Sequence, residues 1–235
     1  MSPAKRPARA VSVELTAVLV AVTGAEPRVM TLGEGRALPS GPFELAHRSL
    51  QSGLRAWVEQ QTHHPLGYVE QLYTFADKDR TGEEGEGRTI SISYLGLTRE
   101  RDAAEGGWRS WYDYFPWEDQ RSEEAGRLIA TLEPALRRWA EAGKGPVKAE
   151  RLLRAQVSFA LDNHPWNDEL TLQRYELLFE AGLVPEGEKN GAGFGLPVPG
   201  HPMMADHRRI LATGIARLRA KIKYRPVVFE LMPPT

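Results

Sequence analysis

In the apolar run from Val11 to Val22, Val11, Val13, Leu15, Ala17 and Leu19 alternate with Ser12, Glu14 and Thr16. A period of two puts one set of side chains on one face, which is the mark of a strand with a buried side. Lys5, Arg6 and Arg9 precede this run and give it a superficial likeness to a secretory signal. Glu14 interrupts the apolar stretch and no small-residue cleavage site follows, so a strand accounts for it better. No run reaches membrane-spanning length. The expectation is a soluble cytoplasmic protein with no membrane partner.

Strand signals continue through the first hundred residues. Gly24-Ala25-Glu26-Pro27 reads as a turn into a neighbouring strand at Arg28–Leu32, and Leu38-Pro39-Ser40-Gly41-Pro42 reads as a loop. Residues 48–61 carry Leu50, Leu54, Trp57 and Val58 on one helical stripe, closed by Pro65 and Gly67. Tyr68–Phe75 and Arg88–Leu97 are strands around a charged, glycine-rich loop at 77–87. Helical spacing then dominates, at 121–142, 147–162, 168–181 and about 206–223, with a Gly/Pro-rich stretch at 186–202. This pattern predicts an α/β (α+β) fold with a mixed sheet between helices. The expected organisation is a core of 1–118 and 204–235 with a helical insertion at 119–203.

Composition narrows the chemistry. Thirty Lys and Arg against 31 Asp and Glu leave a formal charge of -1, so no surface-wide attraction to nucleic acid follows. The absence of cysteine excludes disulfides, thiolate metal sites and cysteine nucleophiles.

One spacing carries chemistry. Gly41 is followed after five residues by His47, and after seven more by Arg55-Ala56-Trp57-Val58-Glu59-Gln60-Gln61-Thr62. This resembles the Nudix motif, in which a glycine-opened loop leads into a helix whose glutamates hold magnesium against a diphosphate. Gly41, Arg55, Trp57 and Glu59 are in register with it. The other glutamate positions hold His47, Ala56 and Gln60, and Thr62 replaces a glycine. One carboxylate binds Mg²⁺ far more weakly than three or four, and imidazole suits softer metals. The resemblance therefore implies a Nudix fold that holds a nucleotide without hydrolysing it. No cofactor is required, and Mg²⁺ enters only if hydrolase activity remains. The rival reading is a metal-dependent hydrolase of a nucleoside diphosphate derivative that recruits Glu83, Glu84 or Glu86.

Tyr68-Val69-Glu70-Gln71-Leu72-Tyr73-Thr74-Phe75, followed by Asp77 and Arg80, resembles a second signature, that of the Nudix-related transcriptional regulators of NAD metabolism. Asp206-His207-Arg208 through Ile222, Tyr224 and Pro226 resembles the junction to their winged helix. That resemblance implies the sensor of a dimeric repressor of NAD biosynthesis or salvage, whose effector is ADP-ribose, NAD or a related adenine nucleotide. Operator DNA would be read by a C-terminal winged helix beginning just past Pro234, outside this chain. The implied effector cleft lies near Arg55, Glu59, Gln71, Tyr73 and Arg80, with Phe75 on the same strand face as Gln71 and Tyr73.

Other groups have two readings each. The aromatic cluster Trp108, Trp111, Tyr112, Tyr114, Phe115 and Trp117 fits a packed core, while Trp108 and Tyr112 also suit a nucleotide wall, because every base offers a π face. His63-His64 reads as an exposed helix end rather than a metal pair. The Gly191–Gly195 stretch follows no strand and fails as a phosphate loop. Arg208, Arg209, Arg217, Arg219, Lys221, Lys223 and Arg225 could steer toward DNA phosphates or simply suit a helix C-terminus.

Overall fold

A computed structural model describes residues 11–76, 88–100, 107–190 and 200–224. The strands are β1 (Val11–Thr23), β2 (Glu26–Thr31), β3 (Ser40–Pro42), β4 (Val69–Phe75), β5 (Arg88–Leu97) and β6 (Gly107–Ser110). The helices are α1 (Leu50–Thr62), α2 (Glu123–Glu141), α3 (Pro146–Phe159), α4 (Thr171–Glu180) and α5 (His207–Tyr224). The strand order is β4-β5-β1-β2-β6, with β3 also paired to β1. Among the described strands only β1 and β5 run parallel, so the sheet is mixed.

The alternation along β1 sorts the two faces. Leu15, Ala17, Leu19 and Ala21 pack with Leu54 and Val58 of α1, together with Met30, Val69, Tyr94 and Trp108. Val18 and Val20 point the other way, into a larger cluster with Leu72, Leu95, Ile210, Leu211 and Ile215. The sheet is thus held between α1 on one face and α5 on the other, the mixed α/β layering that the pattern predicts.

Leu132, Leu136, Trp139, Phe159, Tyr175 and Leu178 of α2, α3 and α4 belong to that same larger cluster. One apolar core therefore runs from the sheet into the helical layer. Trp111, Tyr114, Phe115 and Trp117 are buried where the two meet, which is the core reading of the aromatic cluster.

Several local readings need correction. The 38–42 loop contains β3, because Ser40–Pro42 pair antiparallel with Glu14–Thr16 of β1, flanked by the Ala17 amide donating to the Pro39 carbonyl and the Phe43 amide donating to the Val13 carbonyl, despite the prolines. α1 ends at His63, whose left-handed φ of 53° stops it before Pro65. His63 is exposed, but His64 is buried, edge-on to Trp108 and hydrogen-bonded to Thr98 through Nε2 at 2.9 Å. Among the described residues, no helix is long and apolar enough to cross a membrane.

Candidate functional site

α1 and the loop before it form a rigid unit. Ser49 and Ser52 close a reciprocal capping box, the side chain of each accepting from the other's backbone N–H at 3.1 and 2.8 Å. Such caps contribute about 1 kcal/mol. Gly41 lies under the Trp57 indole, so closely that a Cβ there would stand 2.4 Å from the ring. Trp57 Nε1 also donates to the carbonyl of Pro42 at 2.8 Å. Gln61 grips Ser40 twice, its Nε2 donating to the Ser40 carbonyl at 2.8 Å and its Oε1 accepting from the Ser40 amide at 3.2 Å.

His47, at a position where the Nudix pattern has a glutamate, has a different task. Its Nδ1 accepts from the Glu44 amide at 3.0 Å, and its ring packs between Phe43 and Trp57 and over Gly53. Arg55 donates to the carbonyls of Leu66 and, at 2.7 Å, Gly67, tying α1 to the approach of β4. A guanidinium has five donors, so Arg55 keeps capacity for an anion. Glu59 is exposed one turn further on. Among the described residues, no three His, Asp or Glu side chains group as metal ligands. A lone exposed carboxylate at Glu59, with the His47 imidazole already bonded to the Glu44 amide, does not fit magnesium. Glu83, Glu84, Glu86 and Arg80 lie outside the described residues.

β4 does not present Gln71, Tyr73 and Phe75 on one face. Leu72 is the extra residue of a β-bulge, so Gln71 stands opposite Tyr94 whereas Tyr73 and Phe75 stand opposite Ser93 and Ser91. Tyr94 belongs to the α1 side and Leu95 to the α5 side. The bulge therefore leaves exposed Gln71 with α1 and sends Tyr73 and Phe75 to the other face. There Phe75 is buried, edge-on to Tyr73 at 4.9 Å, with the Arg209 guanidinium 5.0 Å above its ring. Strict alternation fails because a bulge leaves no trace in a two-residue period.

The two aromatic candidates sit elsewhere. Trp108 is buried, and with Arg28, Ser110 and Glu26 it borders an open cleft of about 450 Å³ along the β2–β6 edge. Within it Arg28 donates to Glu100 at 3.0 Å and to the Trp108 carbonyl at 2.7 Å. Tyr112 is half-buried beneath the Arg121 guanidinium, 4.9 Å from the ring centre.

Three groups on the α5 side escaped the sequence reading. His207 Nδ1 accepts from the Leu38 amide at 2.9 Å, which fixes a neutral ring, and burial holds its pKa down to about 4. Burial pushes the nearby Glu14 carboxyl up, partly offset by a hydrogen bond with Ser40. Glu118 is 1% exposed and accepts from Arg174 Nε at 2.5 Å, from Arg219 and from Thr171. No spacing in the sequence links positions 118, 174 and 219.

Five cations of the α5 run are paired within the chain. Arg208 pairs with Glu186, Arg209 with Glu176, Arg219 with Glu118, Lys221 with Glu70 and Lys223 with Glu169. Acids from five other segments thus use the charges that a linear reading leaves free for phosphates. Arg217 is exposed, and Arg225 lies outside the described residues.

A mixed sheet with α1 on one face and α5 on the other defines the class of fold. Among solved structures, the chain is similar to the NUDIX domain of Shewanella oneidensis NrtR complexed with ADP ribose. The identity is 19% and the TM-score 0.40, over 47% of this chain and 80% of that one. It is also similar to Shewanella oneidensis NrtR, with 19% identity, a TM-score of 0.38, and 43% of this chain covered. A MutT/nudix family protein from Enterococcus faecalis gives 20% identity and a TM-score of 0.36 over 45% of this chain. The chain spans 52% and 46% of the last two structures. No protein-family profile and no curated protein sequence matches the chain.

Proposed function

We propose that this chain is the Nudix-like effector-binding part of a DNA-binding repressor of NAD biosynthesis or salvage. It holds ADP-ribose, NAD or a related adenine nucleotide at the outer face of α1 and does not hydrolyse it. One observation supports this above the others. The Nudix spacing from Gly41 to Thr62 folds as a loop and helix, yet His47 serves packing where a metal ligand would stand. Arg55, with donors to spare, and Glu59 remain to meet a diphosphate and its neighbouring hydroxyls. Without a clustered carboxylate cage the bound diphosphate lacks the metal that activates water and neutralises the leaving group. Gln71 borders the same side, while Tyr73, Phe75, Trp108 and Tyr112 serve the sheet and its edges. The repressor acts as a homodimer, and a winged helix beyond this chain reads the operator.

The test is calorimetric titration with ADP-ribose, NAD, nicotinamide mononucleotide and ATP in the presence of Mg²⁺, with product release assayed in the same samples. Saturable binding without turnover is the expected result, and Arg55→Ala should weaken it at least tenfold. Metal-dependent turnover abolished by Glu59→Gln would make the chain a hydrolase instead. No binding by any of the four would remove the sensor reading.

A further inference from the structure

The segment 36–42, whose β3 part pairs with β1, is gripped from both sides. On the α1 side, Gln61 holds Ser40 by two hydrogen bonds, and Trp57 covers Gly41 and donates to Pro42. On the α5 side, the Leu38 amide donates to His207 Nδ1 at 2.9 Å and the Met204 amide donates to the Arg36 carbonyl at 2.8 Å. Between these grips the segment is stitched to β1, the Ala17 amide donating to Pro39 and the Phe43 amide to Val13, both at 2.8 Å. Leu38, fully buried, belongs to the α5-side core, whereas Gly41 lies against α1.

From this we infer that residues 36–42 act as a strap that mechanically couples α1 to the start of α5 across the sheet, with Gln61 and His207 as its positioning residues. A displacement of α1 cannot be absorbed locally. It must either break the paired Gln61–Ser40 bonds or carry the strap along, and moving the strap strips the buried Leu38 amide of its acceptor. An orphaned buried amide is costly, so the favoured response is for the first turn of α5 to follow. α5 is ion-paired at both ends, by Arg208 on Glu186 and Arg209 on Glu176 beside His207 and by Arg219 on buried Glu118 and Lys223 on Glu169 further along. The coupling between the helices stands on the bonds of the strap alone, and only its use as a ligand response rests on the sensor reading.

Hydrogen exchange on the full chain tests it. Gln61→Leu should speed exchange of the Leu211–Ile215 amides at least threefold, and His207→Leu should do the same for Val58–Thr62 on the opposite face. His207→Asn, which keeps an acceptor for the Leu38 amide, should restore most of the protection. The double change Gln61→Leu with His207→Leu should add little to either single one, because both break the same strap. Effects confined to each helix, or a double variant equal to the product of the singles, would overturn the strap. Should His207→Leu not fold, the response of α5 to Gln61→Leu decides alone. In the ligand arm, ADP-ribose that binds and alters exchange in α1 but not in 207–215 overturns the coupling as a response. If ADP-ribose, NAD, nicotinamide mononucleotide and ATP all fail to bind, the sensor reading falls, while the reciprocal effects of the substitutions still decide the strap.

Discussion

Ala25 sits at φ 62° beside Gly24 at φ 58° in the two-residue turn that joins β1 to β2. Two positive φ values make the turn whose twist matches a hairpin, and glycine is the residue that adopts this backbone at least cost. Ala25→Gly should raise stability by about 0.5–1 kcal/mol, seen as a higher urea midpoint with an unchanged slope. Gly41→Ala should act in the opposite sense, since its Cβ would meet the Trp57 ring at 2.4 Å. A loss of roughly 1–3 kcal/mol is expected, with a red shift in tryptophan emission as the indole is displaced. His207 gives a pH dependence of known sign. Burial holds its folded pKa at about 4 against an ordinary 6.5, so on acidification the unfolded chain gains a proton that the folded one refuses. Stability should therefore be full above pH 6.5 and fall as the pH drops toward 4, by roughly 3 kcal/mol. Glu14, raised by burial, binds its proton earlier in the folded state and opposes that loss at the acid end. In denaturation curves from pH 7 to pH 5, His207→Leu should remove the slope even where it lowers the whole curve.

At the scale of elements, Glu118 is the junction that fixes where α5 lies. Its carboxylate is shared by Arg174 of α4 and Arg219 of α5, and Arg174 also donates to the carbonyls of Ser158, at the end of α3, and Asn167. Burying such groups is expensive, but removing one partner strands the others, a loss of about 3–5 kcal/mol. Glu118→Ala should reach that range in chemical denaturation, and more than Arg219→Ala, which leaves the Glu118–Arg174 pair intact. A cost for Glu118→Ala below about 1 kcal/mol would mean that the junction is not closed in solution. The amphipathic spacing of α1, α2 and α3 announces those helices within a few residues of their ends. The partners of α5 are another matter. Its cations are counted easily from the chain, but the acids that answer them come from positions between 70 and 186, and only packing brings them together.

For the molecule as a whole, the continuous core from β1 through α5 into α2, α3 and α4 predicts a single cooperative unfolding transition. Far-ultraviolet circular dichroism and tryptophan fluorescence should follow the same curve. Two separated transitions would show that the sheet and the helical layer fold independently. The sequence by itself determined the alternating strand at 11–22, the stripe of α1, the succession of helices after residue 121 and the spacing from Gly41 to Thr62. Each of these is written in a short-range period or a fixed offset, and local physics enforces it. Only the tertiary structure decided that Leu72 bulges and parts Gln71 from Phe75, that His47 packs instead of ligating, and that five of the α5 cations are paired. It alone placed Leu38 against His207 and Glu118 between two arginines. Those outcomes depend on which distant groups compete for one buried donor or charge, and no periodicity along the chain encodes that competition.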